Sequence, residues 1–215
     1  MDKDTMLRIT AIASHHHGAF TRKMALDAGA TPSMLARRAR TGEWQRPFEG
    51  VYVVAGSVAT WERAVVTAVF SSGAGAVASH ATAAHLWGIA SRPRVIEATS
   101  PLRGRPDRPH VIHRSTDLDQ QDVTEHSGIP TTGVARTLVD IGVPWGKTFA
   151  SRALDEAQRN GLTDLRAVAG VLHRVARKGR RGVGVMRMIL EDRLGWAGIT
   201  QSQLEDEFLR ILRAA

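Results

Sequence analysis

Cysteine is absent from the 215 residues. That excludes disulfides, thiolate zinc sites and thiol nucleophiles together, and it agrees with a reducing compartment such as the cytoplasm. No run of about 18 apolar residues occurs and no basic-then-apolar leader opens the chain, so neither a membrane span nor a secretory signal is legible. Lysine is nearly missing: only Lys3, Lys23, Lys147 and Lys178 contribute to the 29 basic residues, and arginine supplies the other 25. Against 21 acidic residues the formal net charge is +8. Arginine grips phosphate with a planar fork and reads guanine edges. The same balance attracts any polyanion, and a GC-rich genome also favours arginine, so charge alone does not choose the partner. With 43% apolar and 23% charged residues the chain has ordinary globular composition, which argues against a fibre or a disordered tail.

The first sixty residues read as three helices followed by a hairpin. Met6, Leu7, Ile9 and Ile12 form an apolar stripe that stops before His15-His16-His17-Gly18. Thr21 has the position of an N-cap, with Met24, Ala25 and Leu26 packing inward and Gly29 as a stop. Thr31-Pro32 is a second start signal, a hydroxyl cap followed by proline at the first helical position, and predicts a helix over 32–41 ended by Gly42. On its helical wheel Leu35 and Ala39 share one face; Ser33, Arg37 and Arg40 lie nearly opposite, with Arg38 on the flank. Two short extended runs around Glu49-Gly50 then predict a β-ribbon, with Trp44 and Tyr52 flanking it. Short helices, tight turns and a ribbon make a winged helix-turn-helix, in which the last helix enters the major groove and the wing follows the phosphates. A small helical bundle with a solvated basic face is the alternative.

Beyond this the pattern changes. A helix over 61–72, capped by Thr60, and another from Ser79 to a stop at Gly88 are followed by extended segments at 95–99, 109–113 and 122–126. A Pro/Gly/Arg-rich stretch at 101–109 carries Arg103, Arg105 and Arg108. Val134, Leu138 and Ile141 begin a helical stripe, and Ala150, Ala153, Leu154 and Ala157 line a further helix ended by Asn160-Gly161. Leu165, Val168, Ala169, Leu172, Val175 and Ala176 follow the helical spacing without a miss. A basic elbow, Arg174, Arg177, Lys178, Arg180 and Arg181, comes before a helix over 183–194. Thr200-Gln201-Ser202-Gln203 opens a last amphipathic helix. It stops at Ala215 in helical phase without a C-cap, which reads as a truncation.

Several chemistries fail on spacing. A PD-(D/E)XK nuclease core needs an acidic residue two positions before a lysine, but Met1, Thr21, Trp145 and Ala176 occupy those places; Pro106-Asp107 supplies half a motif. The segment 142–148 imitates a phosphate-binding loop but is one residue short and carries Pro144 and Trp145 where the backbone should wrap phosphate. It reads as a turn between helices. No Gly-x-Ser-x-Gly elbow occurs. His15, His16 and His17 are consecutive and are expected to diverge at a helix end, His110 and His113 would face opposite sides of a strand, and no local set completes a tetrahedral metal site. No catalytic residue, metal or cofactor is assigned.

The segment "HHHGAFTRKMALDAGATPSMLARRARTGEWQRPFEGVYVVAG" resembles the N-terminal winged-helix domain of AbiEi-type antitoxins of type IV toxin–antitoxin systems. The pieces "AVASHATAAHLWGI", "EATSP", "HVIHRS", "DVTEHSGIPTTGVARTLVDI" and "ALDEAQRNGL" resemble the arginine-rich bacterial branch of that family. The resemblance implies a DNA-binding repressor of its own operon. It also implies a nucleotidyltransferase-like toxin countered without a stable complex. Many members of the branch carry a very-short-patch-repair-like or PD-(D/E)XK endonuclease domain that opens with a helix like "TQSQLEDEFLRILRAA", where Glu205 matches a metal-site glutamate; here the chain ends at that helix.

The expected fold is α+β: a winged helix-turn-helix over 1–58, an α/β-to-helical effector region over 59–198, and the start of a truncated domain over 199–215. The expected partner is duplex DNA of its own promoter, arranged as inverted repeats, with no membrane and no enzymatic activity. Ser33, Arg37 and Arg40 are assigned to base edges, and Arg22, Lys23, Arg38, Gln45 and Arg46 to phosphates. Arg174, Arg177, Lys178, Arg180 and Arg181 form a candidate second contact. The alternatives are a truncated nuclease targeted by the winged helix, and an RNA-binding antitoxin that shields the toxin's target.

Overall fold

The computed structural model describes residues 3–102, 109–176 and 183–194. In chain order its elements are α1 (Lys3–His15), β1 (Ala19–Thr21), α2 (Arg22–Asp27), α3 (Pro32–Arg40), β2 (Trp44–Phe48), β3 (Val51–Val54), α4 (Trp61–Ser71), β4 (Val77–Ala78) and α5 (His80–Leu86). These are followed by β5 (Glu97–Ser100), β6 (Val111–Arg114), β7 (Val123–His126), β8 (Ile129–Thr132), α6 (Val134–Arg159), α7 (Leu165–Val175) and α8 (Val183–Leu194). The architecture is α+β, as expected, with N-terminal helices, small sheets and a helical last part. No helix of the described residues is long and apolar enough to cross a membrane.

Capping explains where the helices begin. The hydroxyls of Thr21, Thr31 and Thr60 accept from the backbone of Met24 (3.1 Å), Met34 (3.2 Å) and Arg63 (3.1 Å), and the Asp164 carboxylate accepts from Ala167 (2.7 Å). Each satisfies an otherwise orphaned donor, an effect of about 1 kcal/mol. Both α2 and α3 therefore begin where the threonine signals place them. The stripe of α1 differs from expectation. Leu7 is 61% exposed, while Thr5, Ile9 and Ala13 are buried and Met6 and Ile12 pack against them. Leu7 sits roughly 200° around the helix from Ile9, so it cannot share that face.

Contacts divide the chain into two compact units, each threaded from separate segments. One comprises Met1–Ala78, Val95–Thr116 and Glu125–Thr131; the other comprises Ser79–Arg94, Asp117–Thr124 and Thr132–Ala215. Within the first unit α4 packs on β1, β2 and β3. The first unit's core gathers Ile9, Ala13, Phe20, Ala25, Leu35, Trp44 and Tyr52. Phe20 stacks on Tyr52 with ring centroids 5.6 Å apart and meets Trp44 edge-on at 4.9 Å. Trp44 and Tyr52, which flank the ribbon, are core aromatics.

Two antiparallel pairings give the first sheet the order β1-β3-β2, with β2 on the edge. Pro47 therefore costs no ladder bond, and the register slips between Gln45 and Phe48. The other sheet has the order β6-β5-β4-β8-β7. The segments expected to be extended became β5, β6 and β7, whereas β4 and β8 were not anticipated. In the second unit α6, α7 and α8 bury Leu138, Ile141, Leu154, Leu172, Met186, Ile189 and Leu190. The backbone breaks at Gly146 (φ 70°, ψ 176°). The imitation phosphate loop is thus a break between two helical stretches, as its sequence suggested.

Candidate nucleic-acid interface

The α2–turn–α3 pair and the β2–β3 hairpin present the candidate surface. Leu35 is fully buried and Ala39 packs against the aromatic core, which turns Ser33, Ala36, Arg37 and Arg40 outward. These are the positions the helical wheel assigned. The Ser33 hydroxyl shares a 2.9 Å hydrogen bond with Thr31 at the helix start, so it belongs both to the cap and to the exposed face. Gly50 takes the left-handed conformation (φ 74°) that closes the hairpin. The Arg22 backbone N–H donates to its carbonyl at 2.7 Å, which sets the first turn of α2 beside the wing tip.

The phosphate-side residues divide by environment. Arg22, Lys23, Gln45 and Arg46 are exposed. Lys23 pairs with Asp27 at 2.6 Å, but its side chain is 84% exposed; such a surface pair is worth less than about 1 kcal/mol and can exchange for a phosphate. The Arg46 guanidinium lies over the Tyr52 ring at 6.0 Å. That contact steadies a long side chain while leaving its edge accessible.

Arg38 has a different environment from the other phosphate-side residues. The residue is only 8% exposed; it is ion-paired to Glu43 and lies 5.3 Å over the Trp44 ring. Thr41 also donates to Glu43 at 2.9 Å. Arg38 therefore ties the last turn of α3 to the start of β2. The flank position on the wheel could not show this contact, because Glu43 and Trp44 lie beyond the helix.

The second basic contact fares differently again. Arg177, Lys178, Arg180 and Arg181 lie outside the described residues, as do Arg103, Arg105 and Arg108 and the helix expected over 199–215 with Glu205. Arg174 is described, and its guanidinium donates to Asp122 at 2.6 Å. Asp122 is also bonded to Arg136, whose side chain is 2% exposed and reaches Asp140 (3.0 Å), Asp122 (3.0 Å) and Asp117 (3.5 Å). Burial is the largest influence on Arg136 and opposes its charge. The attraction and hydrogen bond of Asp140, with Asp122 and Asp117 behind, outweigh burial and raise its pKa above the ordinary arginine value. Arg174, itself exposed, thus reaches one end of a buried ion network, and no spacing in the sequence revealed it.

The three histidines do not simply diverge. The His15 and His16 rings meet edge to face with centroids 4.7 Å apart, and His15 is bonded to Glu125 at 2.6 Å. His16 Nδ1 donates to the Gly128 carbonyl, and His17 Nε2 donates to the Ser127 carbonyl at 2.7 Å. Three consecutive side chains therefore grip one strand and its turn, a partner some 110 residues away.

Residues 7–55 match the profile of a family described as transcriptional regulator, AbiEi antitoxin. The match spans α1 from Leu7 through the wing and overlaps the segment 15–56 that carried the winged-helix resemblance. The family is one of regulators and not a known enzyme family. No curated protein matches the chain.

Proposed function

We propose that the protein binds duplex DNA at its own promoter through α3 and the β2–β3 wing, and represses the operon that encodes it. The observation carrying this reading is the division of α3 into a face locked to the core by Leu35, Ala39 and Arg38 and an outward face of Ser33, Arg37 and Arg40. The regulator-family match over 7–55 supports it. In this mode Arg37 and Arg40 present guanidinium forks to guanine O6 and N7, and Ser33 reaches a base edge at the helix start. Arg22, Lys23, Gln45 and Arg46 hold phosphates on either side and set the register. Inverted repeats in the operator would seat two protomers. The counterpart in the cytoplasm is a nucleotidyltransferase-like toxin opposed without a stable complex. The nuclease reading and the RNA-shielding reading rest mainly on segments outside the described residues, and no observed geometry favours either.

Fluorescence anisotropy on the DNA upstream of the gene, beside a scrambled duplex and across a salt series, tests the proposal. A preference of ~10³-fold or more for the upstream DNA is expected. Arg37→Ala should lose about 1–3 kcal/mol on the operator and little on scrambled DNA. An equal loss on both duplexes would remove Arg37 from the base-reading set. Arg46→Ala should weaken both duplexes alike and reduce the salt slope by about 1. A wild-type protein that binds both duplexes equally, with a steep salt dependence, would reduce the +8 charge to a general polyanion footprint.

A further inference from the structure

We propose that His15, His16 and Glu125 form a binding site for one divalent transition cation, with zinc as the type ion. One donor atom from each of the three lies within 4.8 Å of the others. Two imidazoles and one carboxylate suit zinc, which takes three protein ligands and leaves a fourth position to water in open sites. Donor atoms on a tetrahedral zinc with bonds of ~2.0–2.1 Å stand roughly 3.3 Å apart. The separations here are thus within about 1.5 Å of that spacing.

Two further observations separate the cluster from a chance meeting of surface groups. First, the Gly128 carbonyl fixes the orientation of the His16 ring. A carbonyl oxygen can only accept, so Nδ1 donates to Gly128, and in the neutral ring the lone pair lies on Nε2. A backbone carbonyl on the second ring nitrogen is the arrangement that orients metal-binding histidines and raises their basicity. Second, the ligands sit on braced backbone. His16 is buried edge-on against Phe70 at 5.2 Å, and His17 holds Ser127. Gly128 lies so close to the His15 backbone that no side chain fits between them. Around this rigid base the His15 and Glu125 side chains remain 56% and 45% exposed, which leaves an entry path for the ion. The His15–Glu125 hydrogen bond is the metal-free arrangement, and the cation replaces the proton between them.

The proposal is independent of DNA binding, so its test reads metal and nothing else. Tag-free full-length protein is titrated with zinc chloride by calorimetry, and with cobalt(II) followed by visible absorption. One zinc per chain is expected, together with the intense cobalt spectrum of a tetrahedral or five-coordinate site. Loss of even an outer-shell partner costs ~10–100-fold in metal affinity. His15→Ala and Glu125→Gln, both at exposed positions that leave the fold intact, should each lose at least that much. His173→Gln, in the other compact unit, should bind like the parent. His16→Gln should also lose the site, but the conclusion does not depend on it because that ring is buried. The proposal is overturned if zinc does not bind, or if it binds with unchanged affinity and stoichiometry in both His15→Ala and Glu125→Gln.

Discussion

Replacing Arg136 with methionine should cost the protein about 3–5 kcal/mol of folding stability, the range for removing one partner from a buried ion pair. The reason is not the loss of attraction alone. Arg136 donates through Nε to both oxygens of Asp140 (3.1 and 3.0 Å), and through Nη1 to Asp122 (3.0 Å) and to the backbone carbonyl of Asp117 (3.1 Å). Methionine fills much of the same volume but leaves carboxylates in a low-dielectric interior without their cation. Asp122 keeps one partner, Arg174, whereas Asp140 loses the ion pair described for it.

The guanidinium stays charged throughout the usual working range, because its pKa lies above the ordinary arginine value; its contribution is therefore present throughout that range. A loss of this size is a large fraction of the ~5–15 kcal/mol that holds a typical domain together. Urea unfolding followed by circular dichroism measures it. Arg159→Ala serves as the control: its pair with Glu156 is an exposed one within a single helix, worth about 0.3–0.5 kcal/mol. Equal shifts for the two variants would mean that the buried network is no stronger than a surface pair.

Gly128→Ala should be comparably damaging, through sterics instead of charge. Ser127 (φ 49°) and Gly128 (φ 74°) both take positive φ, the signature of the tight turn that joins two antiparallel strands. The left-handed conformation alone costs alanine about 1–2 kcal/mol. At Gly128 there is a second cost: an added Cβ would collide with the His15 carbonyl, its oxygen inside van der Waals contact and its carbon only 2.9 Å away. Both obstacles are backbone, so neither can swing aside as a flexible side chain would.

Gly50 separates the two effects. It has the same φ of 74°, and nothing lies within 4 Å of its added Cβ. Gly50→Ala should therefore lose only the conformational part, and Gly128→Ala several kcal/mol in total. Thermal unfolding of both variants measures the difference. If they melted together, the close approach of the turn to α1 would not constrain the protein.

The features legible from residue order are those carried by interactions within a turn or two of chain. Thr21, Thr31 and Thr60 marked helix starts because a hydroxyl caps an N–H three residues ahead. Gly146 broke α6 where proline and glycine cluster. The outward face of Ser33, Arg37 and Arg40 followed from the inward position of Leu35 and the helical period. These are local rules, and long-range packing left them unchanged.

What residue order did not contain was the identity of distant partners. Arg38 is one helical step from Arg37, yet Glu43 and the Trp44 ring take it inward. Arg174 sits in an apparent basic elbow, but an aspartate 52 residues earlier holds it. The histidines have no third ligand nearby in the sequence, because Glu125 reaches them only once β7 and the turn after it lie against the end of α1. The N-terminal elements likewise share a compact unit with segments from beyond residue 94. A charged side chain on a helix flank is equally compatible with solvent, phosphate or a carboxylate. The choice rests on desolvation and ion pairing across tens of residues, and those terms do not exist until the chain has folded around them.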